Sequence, residues 1–417
     1  MDTVVVSQLG ARMHYAVPRI LHEAGRLEQL YTDICAAKGW PRVIAAVPDR
    51  LLPASLRRLT GRIPNGVSEE KIMCFPAVGL SANLRRTIKP TQAQDTKVAL
   101  AAGRSFSKHV VRRGFGKAEG FYGISGECLE QLQAARRQGL WTAVEQIIAP
   151  RAVVDRLIGA EVVRHPEWQA ADEADPFAGA FAVREKAEWE AADMVICPSE
   201  FVRQGVTEVG GPVERCFVVP YGIDARFQQP SRSRRRSGPL RVLTVGAVGL
   251  RKGSPYVLQA ARRFGKNAQF RMVGPATLPD AVRQKLHQSL ELVGPTPRSE
   301  MMHHYEWADV FLLPSICEGS ATVTYEALSA GLPVITTPNA GSVVRDDVDG
   351  FICPAGDVDA ICGRLEQLAR DRDRLEQMAS EARVGATDHD MAAYGRRLMA
   401  ALDRLSTATA GTAAAVG

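Results

Sequence analysis

The chain has 417 residues, 46% hydrophobic and 24% charged, the make-up of an ordinary globular protein with material for two or three domains. No apolar run is long enough to cross a bilayer, and the opening MDTVVVSQLG has neither a basic n-region nor a cleavage site. The eight cysteines form no C-x-x-C, which argues against a zinc ribbon or disulfide scaffold and for reduced thiols in a cytoplasmic protein.

Along the chain, TVVVSQLG (3–10) is a β-branched run that predicts a strand ending at Gly10, and AVPRILHEAG (16–25) predicts a helix stopped by glycine. Residues 51–118 then hold thirteen Lys or Arg against three acids, more surplus charge than the net +6 of the whole chain. Within them, LLPASLRRL and FSKHVVRRGF mix apolar and basic residues at helical spacing. Two readings stay open: a solvated face, or a face for an anionic partner (a membrane surface, a phosphorylated acceptor or nucleic acid), among which the amphipathic spacing slightly favours the membrane. GLWTAVEQ (139–146) and ADMVICPS (192–199) read as strands. RFQQPSRSRRRSGP (226–239) is polar and aperiodic, the signature of a linker.

The second half is more regular. Strands are predicted at 239–246, 268–274, 290–294, 309–315 and 333–337, separated by helical patterns. One of these, SPYVLQAARRF (254–264), has Ser254 as its expected N-cap and Pro255 at its first position. Alternation of apolar strands and helices predicts parallel sheets covered on both faces. The expected fold is α/β: two Rossmann-like doubly wound domains, 1–222 and 241–387, facing a cleft across a linker at 223–240. The low-complexity tail, 408–417, is expected to be disordered.

The segment CEGSATVTYEALSAGLP (317–333) carries the strongest chemical signal. Glu318 falls in the loop past the 309–315 strand, and a helix starting near Ser320–Thr322 and ending at Gly331 places Glu326 about one turn inside. The carboxylates therefore belong to different local structures. Ser320, Ala321 and Thr322 are small, so backbone N–H groups at the helix start can approach an anion. Phosphates at the helix end with sugar hydroxyls on either side suit a sugar nucleotide.

The run EGSATVTYEALSAGLPVITTPNAG…DGFICPAGD resembles the C-terminal signature of retaining GT-B glycosyltransferases, family 4 (glycosyl transferases group 1), and the resemblance extends over about 193–407. It implies a nucleotide-diphosphate-sugar donor, with Glu318 supporting the sugar and its chemistry and Glu326 anchoring the ribose. VGAVGLRKG (245–253) is similar to the family's G-R-x-x-x-x-K-G, in which arginine and lysine clamp the diphosphate. Lys252 matches, whereas the arginine position is Ala247, and Arg251 is the candidate replacement. The last helix, here 388–407, returns to the first domain in this family.

In the first domain the family often has a histidine at a strand end, where this chain offers Glu145. Gly10 and Glu145 are secondary candidates, each with a plain structural alternative: a tight turn, and a polar cap closing a strand. Four D-x-D pairs follow the signature (Asp347/Asp349, Asp357/Asp359, Asp371/Asp373, Asp388/Asp390), in surface positions that do not call for a metal. The expectation is a metal-independent retaining transferase without cofactor, acting on a glycan, lipid-linked or small-molecule acceptor held by the first domain. It would be cytoplasmic, with peripheral contact to an anionic membrane through 51–118 and no nucleic-acid partner. Rivals are a non-catalytic sugar-nucleotide-binding subunit and a sugar-nucleotide epimerase on the same fold.

Overall fold

A computed structural model describes residues 2–45, 47, 52, 56, 59–88, 91–168, 175–223, 227 and 237–414. Most of the expected linker and part of the basic segment lie outside the described residues. Among the described residues thirteen strands form two sheets. The first contains β1 (Val4–Ser7), β2 (Leu27–Thr32), β3 (Ile72–Cys74), β4 (Gly120–Ile124), β5 (Trp141–Glu145), β6 (Met194–Cys197) and β7 (Cys216–Val218). The second contains β8 (Leu240–Val245), β9 (Ala268–Val273), β10 (Glu291–Gly294), β11 (Val310–Leu313), β12 (Val334–Thr336) and β13 (Gly350–Ile352). All pairings are parallel, in the orders β3-β2-β1-β4-β5-β6-β7 and β10-β9-β8-β11-β12-β13.

Both orders reverse direction once, between β1 and β4 and between β8 and β11. Beyond the carboxyl ends of strands at such reversals the flanking loops part and leave a crevice. The central strands are buried on both faces, as in VVVS of β1 and VFLL of β11, which is why they read as unbroken apolar runs.

The helices that bear on the site are α1 (Ala16–Glu23), α2 (Pro76–Ile88), α3 (Gln92–Arg113), α4 (Arg151–Arg164), α5 (Ser254–Phe264), α6 (Thr322–Ser329) and α7 (Met391–Ala414). In α5 the structure moves the cap by one residue. Gly253 is the N-cap at φ 68°, and the Ser254 hydroxyl accepts from the Gly249 N–H at 2.9 Å instead, closing the loop before the helix. A glycine is needed at 253 because a Cβ there would overlap the Pro314 carbonyl.

Helix α7 crosses back to the first domain, where Leu398 and Leu402 share a core with Val4, Val6 and Leu21. It runs on to Ala414, into the segment expected to be a disordered tail, because that alanine-rich stretch favours continued helix.

The domains touch directly at several points. Ser199 Oγ donates to the Gly319 carbonyl at 2.5 Å, and Tyr256 Oη of α5 to Glu161 Oε2 of α4 at 2.6 Å. Ala149, Val153 and Cys317 form a small apolar cluster between them.

Candidate functional site

The loops that flank the reversal in the second sheet carry the predicted pair. The loop after β8 presents Arg251 and Lys252, and the loop after β11 presents Glu318. A backbone bond locks the two loops together, the Ile316 N–H donating to the Arg251 carbonyl at 2.9 Å, and the Glu318 N–H ties its loop to the turn after β12 through the Asn339 carbonyl at 3.0 Å. Lys252 Nζ lies 2.9 Å from Glu318 Oε1, and Arg251 Nη1 lies 3.2 Å from Oε2. Arg251 thus points to the same carboxylate as its neighbour, although adjacent side chains need not. The Lys252 contact is an ion pair off the hydrogen-bond direction, so Oε1 keeps unused capacity to accept a hydroxyl. Burial lowers the Lys252 pKa from its ordinary 10.5, and the Glu318 charge opposes that shift.

Helix α6 begins at Thr322 with Ala321 as N-cap, and no side chain caps it. Its first N–H groups have no intrahelical acceptor. The Ser320 hydroxyl is committed to structure, 2.7 Å from Tyr325 Oη and 2.9 Å from the Gly341 carbonyl, so Ser320 could meet a ligand through backbone alone, whereas the Ala321 N–H is already given to the Ala340 carbonyl at 3.0 Å. Glu326, one turn in, accepts from Tyr305 Oη at 2.8 Å and lies 3.2 Å from Arg298. Arg298 carried no signal in the sequence: it sits in the isolated loop PTPR after β10, with no motif around it. Its guanidinium also stacks over the Phe227 ring, 5.1 Å from the centroid.

Thr322, Glu326 and Arg298 open on an interdomain cavity of about 330 Å³ whose other wall is Ala11, Met13 and His14 of the first domain. Met13, His14 and Tyr15 are three consecutive left-handed residues at φ 44°, 50° and 60°. Each such residue costs about 1–2 kcal/mol. Strain of this kind concentrates where a loop is shaped for a ligand.

Gly10 (φ 76°) donates its N–H to Asp33 Oδ1 at 2.9 Å and lines a second cavity, away from Glu326. A Cβ there would meet nothing within 4 Å, so its backbone angle and not close approach accounts for the glycine. Glu145 is corrected outright: it is 3% exposed, and its two oxygens accept from Tyr122 Oη and Tyr221 Oη, each at 2.6 Å. It ties β4 and β5 to the segment after β7 and does not face the cleft.

The D-x-D carboxylates are largely absorbed by the fold. Asp357 and Asp371 cap helices, and Asp349 holds Arg345 at 2.6 Å. Among the described residues no group of three or more His, Cys, Asp or Glu could hold a metal ion, and no helix is long and apolar enough to cross a membrane.

Two parallel α/β domains facing a cleft, with a helix returning from the second to the first, define the GT-B fold. Residues 239–371 match the family model described as glycosyl transferases group 1. The amylovoran biosynthesis glycosyltransferase AmsK of Erwinia amylovora is 29% identical over 217 residues, 48% of this chain and 53% of that protein. The chain spans about half the length of the curated relatives it matches. Among solved structures, Anabaena HepE in complex with UDP has a TM-score of 0.61 at 15% identity, covering 97% of this chain and 100% of that one. Sucrose-phosphate synthase from Thermosynechococcus elongatus has a TM-score of 0.63 at 15% identity, covering 98% and 100%.

Proposed function

We propose that the protein transfers a sugar from a nucleotide-diphosphate donor to an acceptor hydroxyl, with retention of configuration and without a metal. The observation that carries this reading is the convergence of Arg251, Lys252 and Glu318 from the two loops of the second sheet's crevice; Glu326 and Arg298 line the interdomain cavity together with Thr322 at the start of α6. Lys252, Arg251 and the uncapped start of α6 would take the diphosphate. Glu326, held by Tyr305, would take the ribose hydroxyls, and Glu318 a hydroxyl of the sugar.

In the reaction, the bond from the anomeric carbon to the diphosphate oxygen breaks with its electron pair going to phosphate. The acceptor oxygen forms the new bond, and its proton passes to the departing diphosphate, the base that the reaction itself creates. Positive charge held in place before reaction lowers the barrier to departure without reorganisation. Glu318 pairs with both cations, one negative charge against two positive, which leaves net positive charge for an anion. A diphosphate would displace it from them and free it toward the sugar.

Ala247 favours a second reading, a binding subunit that does not turn donor over. The deciding experiment is a thermal-shift panel of UDP-, GDP-, dTDP- and ADP-sugars, followed by donor turnover with Glu318→Ala as control. Stabilisation by one nucleotide with turnover supports transfer. Stabilisation without turnover sinks the enzyme reading.

Peripheral membrane contact is proposed through α2, where Leu80 (47% exposed) and Leu84 (64%) stand one turn apart beside exposed Arg85 and Arg86. Equal sedimentation with anionic and neutral liposomes at low salt would sink it.

A further inference from the structure

The reversal in the first sheet has its own crevice, and none of the donor residues uses it. A cavity of about 350 Å³ lies past the carboxyl ends of β1, β2, β4 and β5, roofed by α2 and α3. Its floor is polar and its walls are Val78, Ala82, Ala102 and Phe181. We infer that it binds the acceptor as a phosphate-bearing sugar, with hydroxyls read by Asp33, Ser125 and Glu127 and the anionic group held at Arg62 and Arg86. This rests on the transferase reading and names the class of its second substrate.

Four observations support it. First, Ser125 is 7% exposed and its buried hydroxyl has no hydrogen-bond partner, although it lines the cavity. An orphan of this kind costs free energy unless a ligand or water meets it. Second, the carboxyl groups are fixed from behind. Asp33 takes the Gly10 N–H at 2.9 Å and Arg62 at 3.3 Å, and Glu127 Oε2 takes the Leu9 N–H at 2.8 Å. Burial pushes Glu127 up to about 8, so near neutral pH it can both donate to and accept from a sugar hydroxyl.

Third, the two arginines at the cavity differ in commitment. Arg62 is tied to Asp33, whereas Arg86 is 45% exposed and only 3.6 Å from the exposed Asp95, a contact of little worth that an anion could replace. Fourth, the cavity abuts the donor site. Ile147 lines it, and the Ile147 carbonyl sits so close to Gly319 that a Cβ there would overlap it. Gly319 is the residue after Glu318, so an acceptor in the cavity is one backbone away from the donor carboxylate.

The phosphate could belong to a free sugar phosphate or to a lipid-linked diphosphate, and the exposed Leu80 and Leu84 on α2 suit the second. The test is calorimetric titration of the full chain with glucose 1-phosphate, glucose, inorganic phosphate and farnesyl-diphosphoglucose in mild detergent. The phosphorylated sugars should bind at least tenfold more tightly than glucose or phosphate alone. Arg86→Ala, which removes an exposed side chain, should weaken them about tenfold, and Ser125→Ala severalfold. The Arg251→Ala/Lys252→Ala double variant should leave them unchanged. Tighter binding of the farnesyl compound assigns the lipid-linked source, and equal binding the free one. Equal affinity for glucose, insensitivity to Arg86→Ala, or loss only in the Arg251/Lys252 variant overturns the inference. So does absence of binding by every probe while a nucleotide sugar still raises Tm. If no nucleotide sugar raises Tm, the donor reading fails as well.

Discussion

Lys252 Nζ and Glu318 Oε1 stand 2.9 Å apart with both side chains about nine-tenths buried, at 11% and 10% exposure. Glu318→Ala therefore leaves a buried ammonium without its partner. Unpairing a buried charge typically costs roughly 3 kcal/mol, so the empty variant should melt well below wild type. Donor should recover much of that loss, because its diphosphate supplies the missing negative charge. Turnover should fall by about 10²-fold while donor affinity holds or improves. Lys252→Ala should instead weaken donor binding. Parallel thermal-shift and turnover measurements on both variants separate these outcomes; a donor affinity lost equally in both would contradict the assignment.

The lowered Lys252 pKa fixes a sign for pH dependence. Between the folded value and the ordinary 10.5, the unfolded chain binds the proton and the folded chain does not. Through this group, stability therefore rises with pH across that window. Donor binding runs the other way: a diphosphate favours the ammonium, so affinity should fall as pH rises through the lowered value. Lys252→Arg, which stays charged, should flatten that fall. Titration of donor affinity from neutral to alkaline pH, alongside Arg251→Gln to separate the neighbouring charge, checks it.

Glu326 is held by Tyr305 at 2.8 Å and faces Arg298 at 3.2 Å. If it anchors the ribose, a 2′- or 3′-deoxyribose donor should bind wild type about tenfold more weakly than the ribose donor. The same comparison in Glu326→Ala should show little difference. A deoxy penalty that persists in the variant would place the ribose elsewhere. Arg298→Ala should also weaken donor, through loss of the group that orients Glu326.

The grouping of Arg251, Lys252 and Glu318 was largely legible because these residues come from short contiguous motifs at strand ends. Lys252 and Glu318 each follow an apolar run that could only be a buried strand, and their meeting follows from β8 and β11 being neighbours. Arg298 was hidden because its partner Glu326 comes from helix α6, far along the chain, so no local pattern marks it. Strand β4 was hidden because Gly120 and Gly123 replace the apolar residues that would announce a strand. Cβ atoms there would overlap the Trp141 ring and Cys128. Asp33 follows β2, and Ser125 and Glu127 follow β4, so only the sheet order gathers the three polar residues. Glu145 was misread for a related reason: position at a strand end does not say which face the side chain takes, and two tyrosines from other elements claim it.

That last correction is testable in its own right. Glu145→Gln replaces one acceptor oxygen with an amide NH2 facing a tyrosine hydroxyl in a site that is 3% exposed. A buried hydrogen bond left unmade costs about 1–3 kcal/mol, so Tm should fall. Donor affinity and turnover of the folded fraction should stay near wild type, since Glu145 does not line the cavity that holds Glu326. A large loss of turnover with unchanged Tm would return Glu145 to the site.

Gly319→Ala probes the approach of the two domains. The added Cβ would overlap the Ile147 carbonyl, which is backbone and cannot swing aside. Either the loop carrying Glu318 or the strand end carrying Ile147 must retreat. Overpacking of this kind costs typically 1–3 kcal/mol, so stability should fall by about that amount. Turnover should fall further than donor affinity, because Lys252 and Glu326 remain on the second domain while the first domain is pushed away from the sugar. Gly25→Ala is the matched control: its φ of 70° also disfavours alanine, but no atom obstructs the new methyl group, and it lines neither cavity. It should lose about 1–2 kcal/mol of stability without the same split between affinity and turnover. Wild-type stability and turnover in Gly319→Ala would mean that the cleft is wider in solution than this contact allows.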